Sequence, residues 1–215
     1  MAKQTPTGTE PTPRAMTGDE RLESILEIAE RMFFERGYRG VSMRHLASEV
    51  GVQISTLYYY FPSKEDILYR LLKTYLESLV GAAERSIEDA GEGASSTATV
   101  QSLVRDSVLS LIKHRQAAGI SISGAMAELA VEQQAELTGY VERYESLYRR
   151  VIREGIAAGE FVPTDAALAA YLVLGAQARL CAWYRPEGRL SPDQIAGTFS
   201  FLLVRSLAIS QLPVE

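Results

Sequence analysis

Apolar residues recur along this chain at helical spacing and nowhere alternate convincingly as a strand would. After Ser63, residues Ile67, Leu68, Leu71, Leu72, Tyr75, Leu76 and Leu79 trace one face of a long helix. Leu137, Tyr140, Val141, Tyr144, Leu147, Tyr148, Val151 and Ile152 trace another, which Gly159 closes. A helix with one apolar stripe must bury it, and with no sheet to receive it the partner is another helix. The chain is therefore expected to be all-α, with about nine helices. Hydrophobic residues make up 47% of its 215 residues, enough for a sizeable core.

Capping signals divide the first third into short pieces. Leu22, Ile25, Leu26, Ala29, Met32 and Phe33 share a face, and Gly37 is placed to end their helix. Ser42 caps "MRHLASEV", with Met43, Leu46, Ala47 and Val50 inward, and Gly51 breaks it. A third helix is expected from about Gln53 to Tyr60, with Leu57 and Phe61 inward, and Pro62 ends it. Ser63 caps the long fourth helix. Further helices are expected at about 97–115, 119–133 and 135–158, from Thr164 or Asp165 to about Tyr184, and from Ser191-Pro192 to about Ser210. Residues 1–17, rich in proline and threonine, read as a disordered arm.

Three consecutive tyrosines stand in "GVQISTLYYYF". On a helix they point about 100° apart and cannot all enter one core. Three short helices with a tight glycine turn before the last form a helix-turn-helix, whose final helix enters the major groove of double-stranded DNA. There one tyrosine can pack inward while the others reach backbone oxygens. Charge permits this only locally. Residues 1–75 carry 10 basic and 10 acidic side chains, whereas the whole chain carries 22 and 27. Arg39, Arg44 and Lys64 face Glu49 alone between Gly37 and Lys64. The acidic remainder is no nucleic-acid surface.

Nothing supports catalysis. The histidines are His45 and His114, Cys181 has no sequence partner for a metal or a thiolate-imidazole pair, and no phosphate-loop, zinc-protease or nucleophile-elbow motif is present. No catalytic residue, metal site or cofactor is expected. The single cysteine suits a reducing cytoplasm. The longest charge-free run near the C-terminus, 166–178, is too short to span a bilayer, so no membrane partner is expected.

The stretch "FFERGYRGVSMRHLASEVGVQISTLYYYFPSKEDILYRLL" resembles the N-terminal DNA-binding domain of the TetR family of bacterial regulators. The match rests on Phe33, Gly37, Tyr38, Ser42, Leu46-Ala47, Gly51-Val52, Thr56-Leu57-Tyr58, Tyr60-Phe61, Ser63-Lys64-Glu65 and Leu68. Val41-Ser42, Gln53 and Ser55 depart from the family's pattern, largely at groove-facing positions. The resemblance implies an arm over 1–17, a helix-turn-helix domain over 18–64, and a ligand-binding and dimerisation domain over 65–215. It implies base-edge roles near Arg44, variable groove-facing roles for Ile54 and Ser55, and phosphate contacts at Ser42, Thr56, Tyr59 and Lys64, with Tyr58 beside them. Ile54 could instead belong to the core, and Tyr60 suits packing better than contact. The chain has no asparagine, so bidentate adenine readout on this helix falls to Gln53.

The rest is expected to bind a small-molecule inducer. Its "AWYRPEGRLSPDQIA" run is similar to regulators that sense acyl-CoA thioesters, so an acyl-CoA or an apolar acid is the expected ligand. Tyr144 and Tyr148 are candidate walls of the cavity, with Met126 and Leu129 facing it, and Arg185, with Arg189, available to phosphates. Small residues on the last two helices, Ala170 and Gly175 on one and Ala196 and Ser200 on the other, suit, with Leu172, Leu174, Phe199, Leu202 and Leu203, a homodimer interface of four helices; the alternative is an ordinary packing face within the chain. The expected function is a ligand-responsive repressor released from its operator by a small molecule. The alternative is a helical small-molecule-binding or protein-interaction module without operator binding.

Overall fold

The computed structural model describes residues 17–91, 93–122 and 124–208. The expected arm lies outside the described residues, except for Thr17. Among the described residues the elements run α1 (Gly18–Arg36), α2 (Met43–Val50), α3 (Ile54–Tyr60), α4 (Lys64–Ala90), α5 (Ser96–Lys113), α6 (Arg115–Ile122), α7 (Val131–Ala157), α8 (Ala166–Ala178), α9 (Leu180–Trp183) and α10 (Pro192–Leu207). Two 3₁₀ turns, Tyr38–Gly40 and Ala125–Glu128, join α1 to α2 and α6 to α7. The all-α expectation holds: an isolated bridge between Phe161 and Ala208 is the only strand-like pairing among the described residues.

The caps explain the boundaries. Thr17 and Glu20 form a reciprocal box at the start of α1, so this residue, assigned to the arm, belongs to the helix. Ser42 Oγ accepts from His45 N at 3.2 Å, and Gly51 ends α2 in the left-handed region at φ 74°. Ser63 accepts from Asp66 N and starts α4 one residue after Pro62. The helix expected at 119–133 is absent. Gly124, at φ 83°, stops α6 early and turns the chain through the 3₁₀ segment.

Helices α1 to α3 close on Ile25, Ala29, Phe33, Leu46 and Leu57, all buried, and α4 enters the same core with Ile67 and Leu68. Further along, α4 gives Leu72, Leu76 and Val80 to a body formed with α5 and α7. α10 lies mainly along α5. Its small residues Ala196 and Ser200 are buried there, which corrects their assignment to a subunit interface.

The turn after α7 is fitted closely to its neighbours. A Cβ on Gly155 would come within 2.3 Å of the Phe161 ring and 2.8 Å of Ser96 Cβ. Phe161 is fully buried, so Gly155→Ala is expected to lower the unfolding free energy by about 1–3 kcal/mol in urea titration. Next to it, Glu160 caps α5 from outside. It accepts from Ser95 Oγ at 2.7 Å, Ser96 N at 3.0 Å and Thr97 N at 2.8 Å. These donors hold its carboxyl down at about 2, against an ordinary 4.5. A carboxyl lowered on folding adds stability above its unfolded value and loses it as pH falls towards the folded one. Thermal unfolding should therefore decline between pH 4.5 and pH 2 more steeply in the parent than in Glu160→Gln.

Candidate DNA-reading face and ligand cavity

The turn Gly51–Gln53 sets α3 across α2, and Leu57, fully buried, anchors the inward side of α3. A half-turn away the outer side is left open. Tyr59 is 83% exposed, Tyr58 49% and Ile54 38%, which places Ile54 on the surface rather than in the core. Tyr60 turns inward, half-buried, with its ring edge-on to Tyr59 at 5.4 Å. A shallow groove brings Ser42 and Arg44 of α2, Ile54 and Tyr58 of α3 and Lys64 of α4 to one face. Gln53 and Ser55 are exposed and Thr56 half-buried along the same short helix, outside that groove. Arg44 is exposed and joins none of the ion pairs found among the described residues.

Lys64 has a different setting from the free phosphate ligand expected of it. Its ammonium donates to the carbonyls of Tyr38 at 3.0 Å and Val41 at 2.8 Å, and sits 4.0 Å from the centre of the Tyr38 ring. The Tyr38 hydroxyl in turn donates to Glu65 Oε1 at 3.0 Å. Two of three ammonium protons are thus spent on tying α4 to the turn before α2. The sequence pattern held the lysine but could not show these carbonyls, because they come from a turn 23 to 26 residues away.

α6 touches this head from the body. Glu30 of α1 accepts from Ala117 N at 2.9 Å, and burial raises its carboxyl above the usual range. The Phe34 ring lies against Gly119, where a Cβ would come within 2.5 Å, and beneath the Arg115 guanidinium at 5.2 Å. Arg39 pairs with Glu128 across the same junction at 2.6 Å.

Inside the body a cavity of about 180 Å³ opens between α4, α5, α6, α7 and α8. Tyr75, Leu76 and Leu79 form its α4 wall, Val141, Tyr144 and Glu145 its α7 wall, and Leu174, Gln177 and Ala178 its α8 wall. Of the expected lining residues, Tyr144 is in place. Tyr148 lies behind the wall, fully buried, bonded to Ser107 at 2.8 Å and donating to the Leu103 carbonyl at 3.1 Å. Met126 and Leu129 are displaced from the cavity because Gly124 ends α6 and carries them, on the 3₁₀ turn, towards the Arg39–Glu128 pair. Arg185 and Arg189 are exposed in the loop after α9 and do not reach the cavity. Arg185 Nη1 donates to the neighbouring Tyr184 carbonyl. Sequence reasoning missed Tyr75 and Gln177. Tyr75 sat within the apolar stripe of α4, and Gln177 had one signal, being the lone polar side chain with hydrogen-bonding capacity amid "AALAAYLVLGAQA" apart from Tyr171. Burial raises the phenols of Tyr75 and Tyr144 above their ordinary range, so both stay protonated.

Both halves match known families. Residues 25–71 match the family described as "Bacterial regulatory proteins, tetR family". Residues 93–207 match "Tetracyclin repressor-like, C-terminal domain". The chain belongs to the TetR family. It is a DNA-binding, ligand-responsive transcriptional repressor of that type, and not an enzyme. Among curated relatives it is 30% identical over 182 residues to the "HTH-type transcriptional repressor KstR2" of Mycobacterium tuberculosis, covering 82% of this chain and 88% of that one. The solved structure of PfmR, a TetR family transcriptional regulator from Thermus thermophilus, is 28% identical, covers 85% of this chain and 98% of its own, and superposes with a TM-score of 0.76. AibR in complex with isovaleryl coenzyme A and operator DNA shares the fold, with a TM-score of 0.74 at 23% identity over 86% of this chain and 98% of that one.

Two substitutions separate positioning from reading. Arg44→Ala should relax preference at one base position, costing about 1–3 kcal/mol if its contact is bidentate to guanine. Lys64→Ala should weaken specific and random DNA alike and also lower the unfolding temperature, because the tether to Tyr38 and Val41 is lost. Mobility-shift titrations on operator variants, run beside thermal unfolding, check both.

Proposed function

We propose that this repressor is a homodimer whose two α3 helices read a palindromic operator, and that it lets go when the acyl group of a coenzyme A thioester enters the cavity. Residues 18–64 serve as the reading head and 65–215 as the body, and the protein acts in the cytoplasm, where its operator lies. Ser42, Thr56, Tyr58 and Tyr59 contact phosphates, Lys64 contributes its remaining N–H, and Arg44, Gln53, Ile54 and Ser55 face the groove.

The observation that carries the ligand reading is the lining of the cavity. It is mostly apolar, holds two phenols and one carboxylate, Glu145, and contains neither lysine nor arginine. A free carboxylate would find no cation there, which favours the thioester over an apolar acid. An acyl thioester presents an uncharged chain and leaves its phosphates outside. AibR, whose likeness carries the fold, was solved with both isovaleryl coenzyme A and operator DNA. The dimer reading rests on a large apolar face. Leu168, Tyr171 and Leu172 of α8, Trp183 of α9, and Phe201 and Leu202 of α10 are between 47% and 67% exposed. Trp183 of α9 stacks on Phe199 of α10 at 6.1 Å, and exposed apolar side chains gathered on neighbouring helices mark an interaction surface. The span 166–183 is apolar and long enough, by composition, to cross a bilayer, but Arg179 breaks it between α8 and α9, and two tyrosine or tryptophan rings lie on its open side. A second copy of the chain accounts for that face.

Replacing Leu172 and Leu202 together with glutamate should give a monomer in light scattering and abolish tight operator binding, since the two heads must sit about 34–36 Å apart to read successive turns. Acyl coenzyme A thioesters should release operator-bound protein while the matching free acids do not. By linkage the operator must weaken thioester binding by the same factor, about 5–150-fold for a coupling of about 1–3 kcal/mol. Release by the free acids, or by neither set, would overturn the ligand reading and leave the repressor intact.

A further inference from the structure

The polar groups behind the cavity do not all find partners, and the mismatch constrains what can enter. Tyr148 has one hydroxyl proton, and it goes to the Leu103 carbonyl, which can only accept. Towards Gln177, 3.5 Å away, the same oxygen therefore presents a lone pair. That fixes the amide: its NH₂ end faces Tyr148, and its carbonyl end is left over. Gln177 is 1% exposed, and its Oε1 is the one buried side-chain oxygen or nitrogen without a partner among the described residues. Native interiors rarely leave such an acceptor unpaired, so this one calls for an explanation.

The lining supplies the rest of the description. Glu145 is the one charged residue in it. An anion would be repelled, and no cation stands by to hold it. The volume of about 180 Å³ is close to that of an apolar cavity of about 150 Å³ that accepts benzene. One ring or a short branched chain fits. We infer that the cavity takes an uncharged apolar group of that size bearing an O–H or N–H, which donates to Gln177 Oε1. Neighbouring atoms cover Oε1, so reaching it takes a turn of the soft terminal torsion of the side chain, which gives up the long Nε2–Tyr148 contact at 3.5 Å in exchange for the bond to the donor. The donor comes either from a free neutral molecule or from the amide of a coenzyme A arm behind a short acyl group. The inference rests on the cavity being the inducer site, so its test reads binding without DNA.

Titration calorimetry on the full chain compares p-cresol with 4-methylanisole, its methyl ether, and with 4-methylbenzoate. The parent should bind p-cresol at least tenfold more tightly than the ether, and should not bind the benzoate. Gln177→Met should bind p-cresol and the ether alike, and should unfold at a temperature close to the parent's, because only the long Nε2–Tyr148 contact at 3.5 Å is lost with the unpaired carbonyl. Equal binding of cresol and ether by the parent, discrimination kept in Gln177→Met, tightest binding of the benzoate, or no binding of either neutral probe overturns the inference. Isovaleryl coenzyme A is the second arm and should displace p-cresol if the donor is tethered to a thioester. If it binds elsewhere without displacing p-cresol, the acyl reading of the inducer fails and the donor rule stands. If it binds while p-cresol does not, the donor rule fails and the acyl reading stands.

Discussion

Everything in this fold hangs on the first turn of α4. Ser63 caps the helix, Lys64 grips the carbonyls of Tyr38 and Val41, and Glu65 accepts from the Tyr38 hydroxyl. The grip is made of charge-assisted hydrogen bonds in a half-buried place, where such bonds are stronger than at the open surface. It clamps the turn ahead of α2 to the start of α4, and α3 lies between them, closed by Phe61 and Pro62. The orientation of α3 is therefore set relative to α4. The same helix continues for 27 residues and supplies Leu76 and Leu79 to the wall of the cavity. One helix touches both the candidate reading surface and the cavity, so a shift at one is felt at the other.

α6 adds a second constraint on the same head. Glu30 meets the first turn of α6 through Ala117 N, and Phe34 fills the space that a side chain at Gly119 would need. The helix that seats on α1 also brings Ser121 to the cavity. The head is thus held at two points, both of which belong to elements that line the ligand space. A ligand shifts an equilibrium only by its differential affinity for two arrangements. Two clamps of this kind make intermediate arrangements costly, because packed interfaces exchange between discrete states rather than deform smoothly.

The fold was legible wherever a local signal decides. Periodicity located α1, α4, α7 and α10, and Thr or Ser caps with Gly stops placed most ends to within a few residues. The misplaced helix at 119–133 failed for a local reason. Gly119 sits inside α6, where it makes room for Phe34, and the stop is Gly124 at positive φ, which a periodicity of apolar residues does not register. On the reading face the short-range pattern sufficed to bring Ser42, Arg44, Ile54, Tyr58 and Lys64 together. The cavity was different. Its wall is assembled from helices far apart in sequence, so a tyrosine stripe at i, i+4, i+8 could not say which ring faces the space. Tyr140 bonds outward to Glu77, Tyr144 lines the wall, and Tyr148 is sealed behind it. The small-residue faces divided for the same reason: Ala196 and Ser200 took the intrachain alternative, packed where α10 meets α5, while Leu172 and Leu202 stay exposed.

The size of the cavity bears on how ligand and operator oppose each other. At about 180 Å³ it is smaller than the roughly 300–1,000 Å³ of sites that enclose drug-sized molecules. A group of one ring or a short branched chain can enter with little displacement. An acyl chain longer than that presses on the walls, and three of the five, α4, α5 and α7, are long helices packed on one another. α7 is held to α4 outside the cavity by the Lys73–Glu136 and Arg143–Glu84 pairs, and inside by the Tyr144–Ser107–Tyr148 hydroxyls that tie it to α5. The walls with less holding them are α8, which is partly open on its far side, and α6, a short helix. Expansion therefore favours movement of α6 and α8 over α7. Movement of α6 loads the Glu30 and Phe34 contacts to the head, and movement of α8 disturbs the apolar face proposed to join two subunits. In the proposed dimer, a ligand that overfills the cavity would act on both routes that set the separation of the two reading helices, so molecules just above the resting volume should couple to DNA more strongly than those that fit it, and operator release should rise with acyl length before entry becomes limiting.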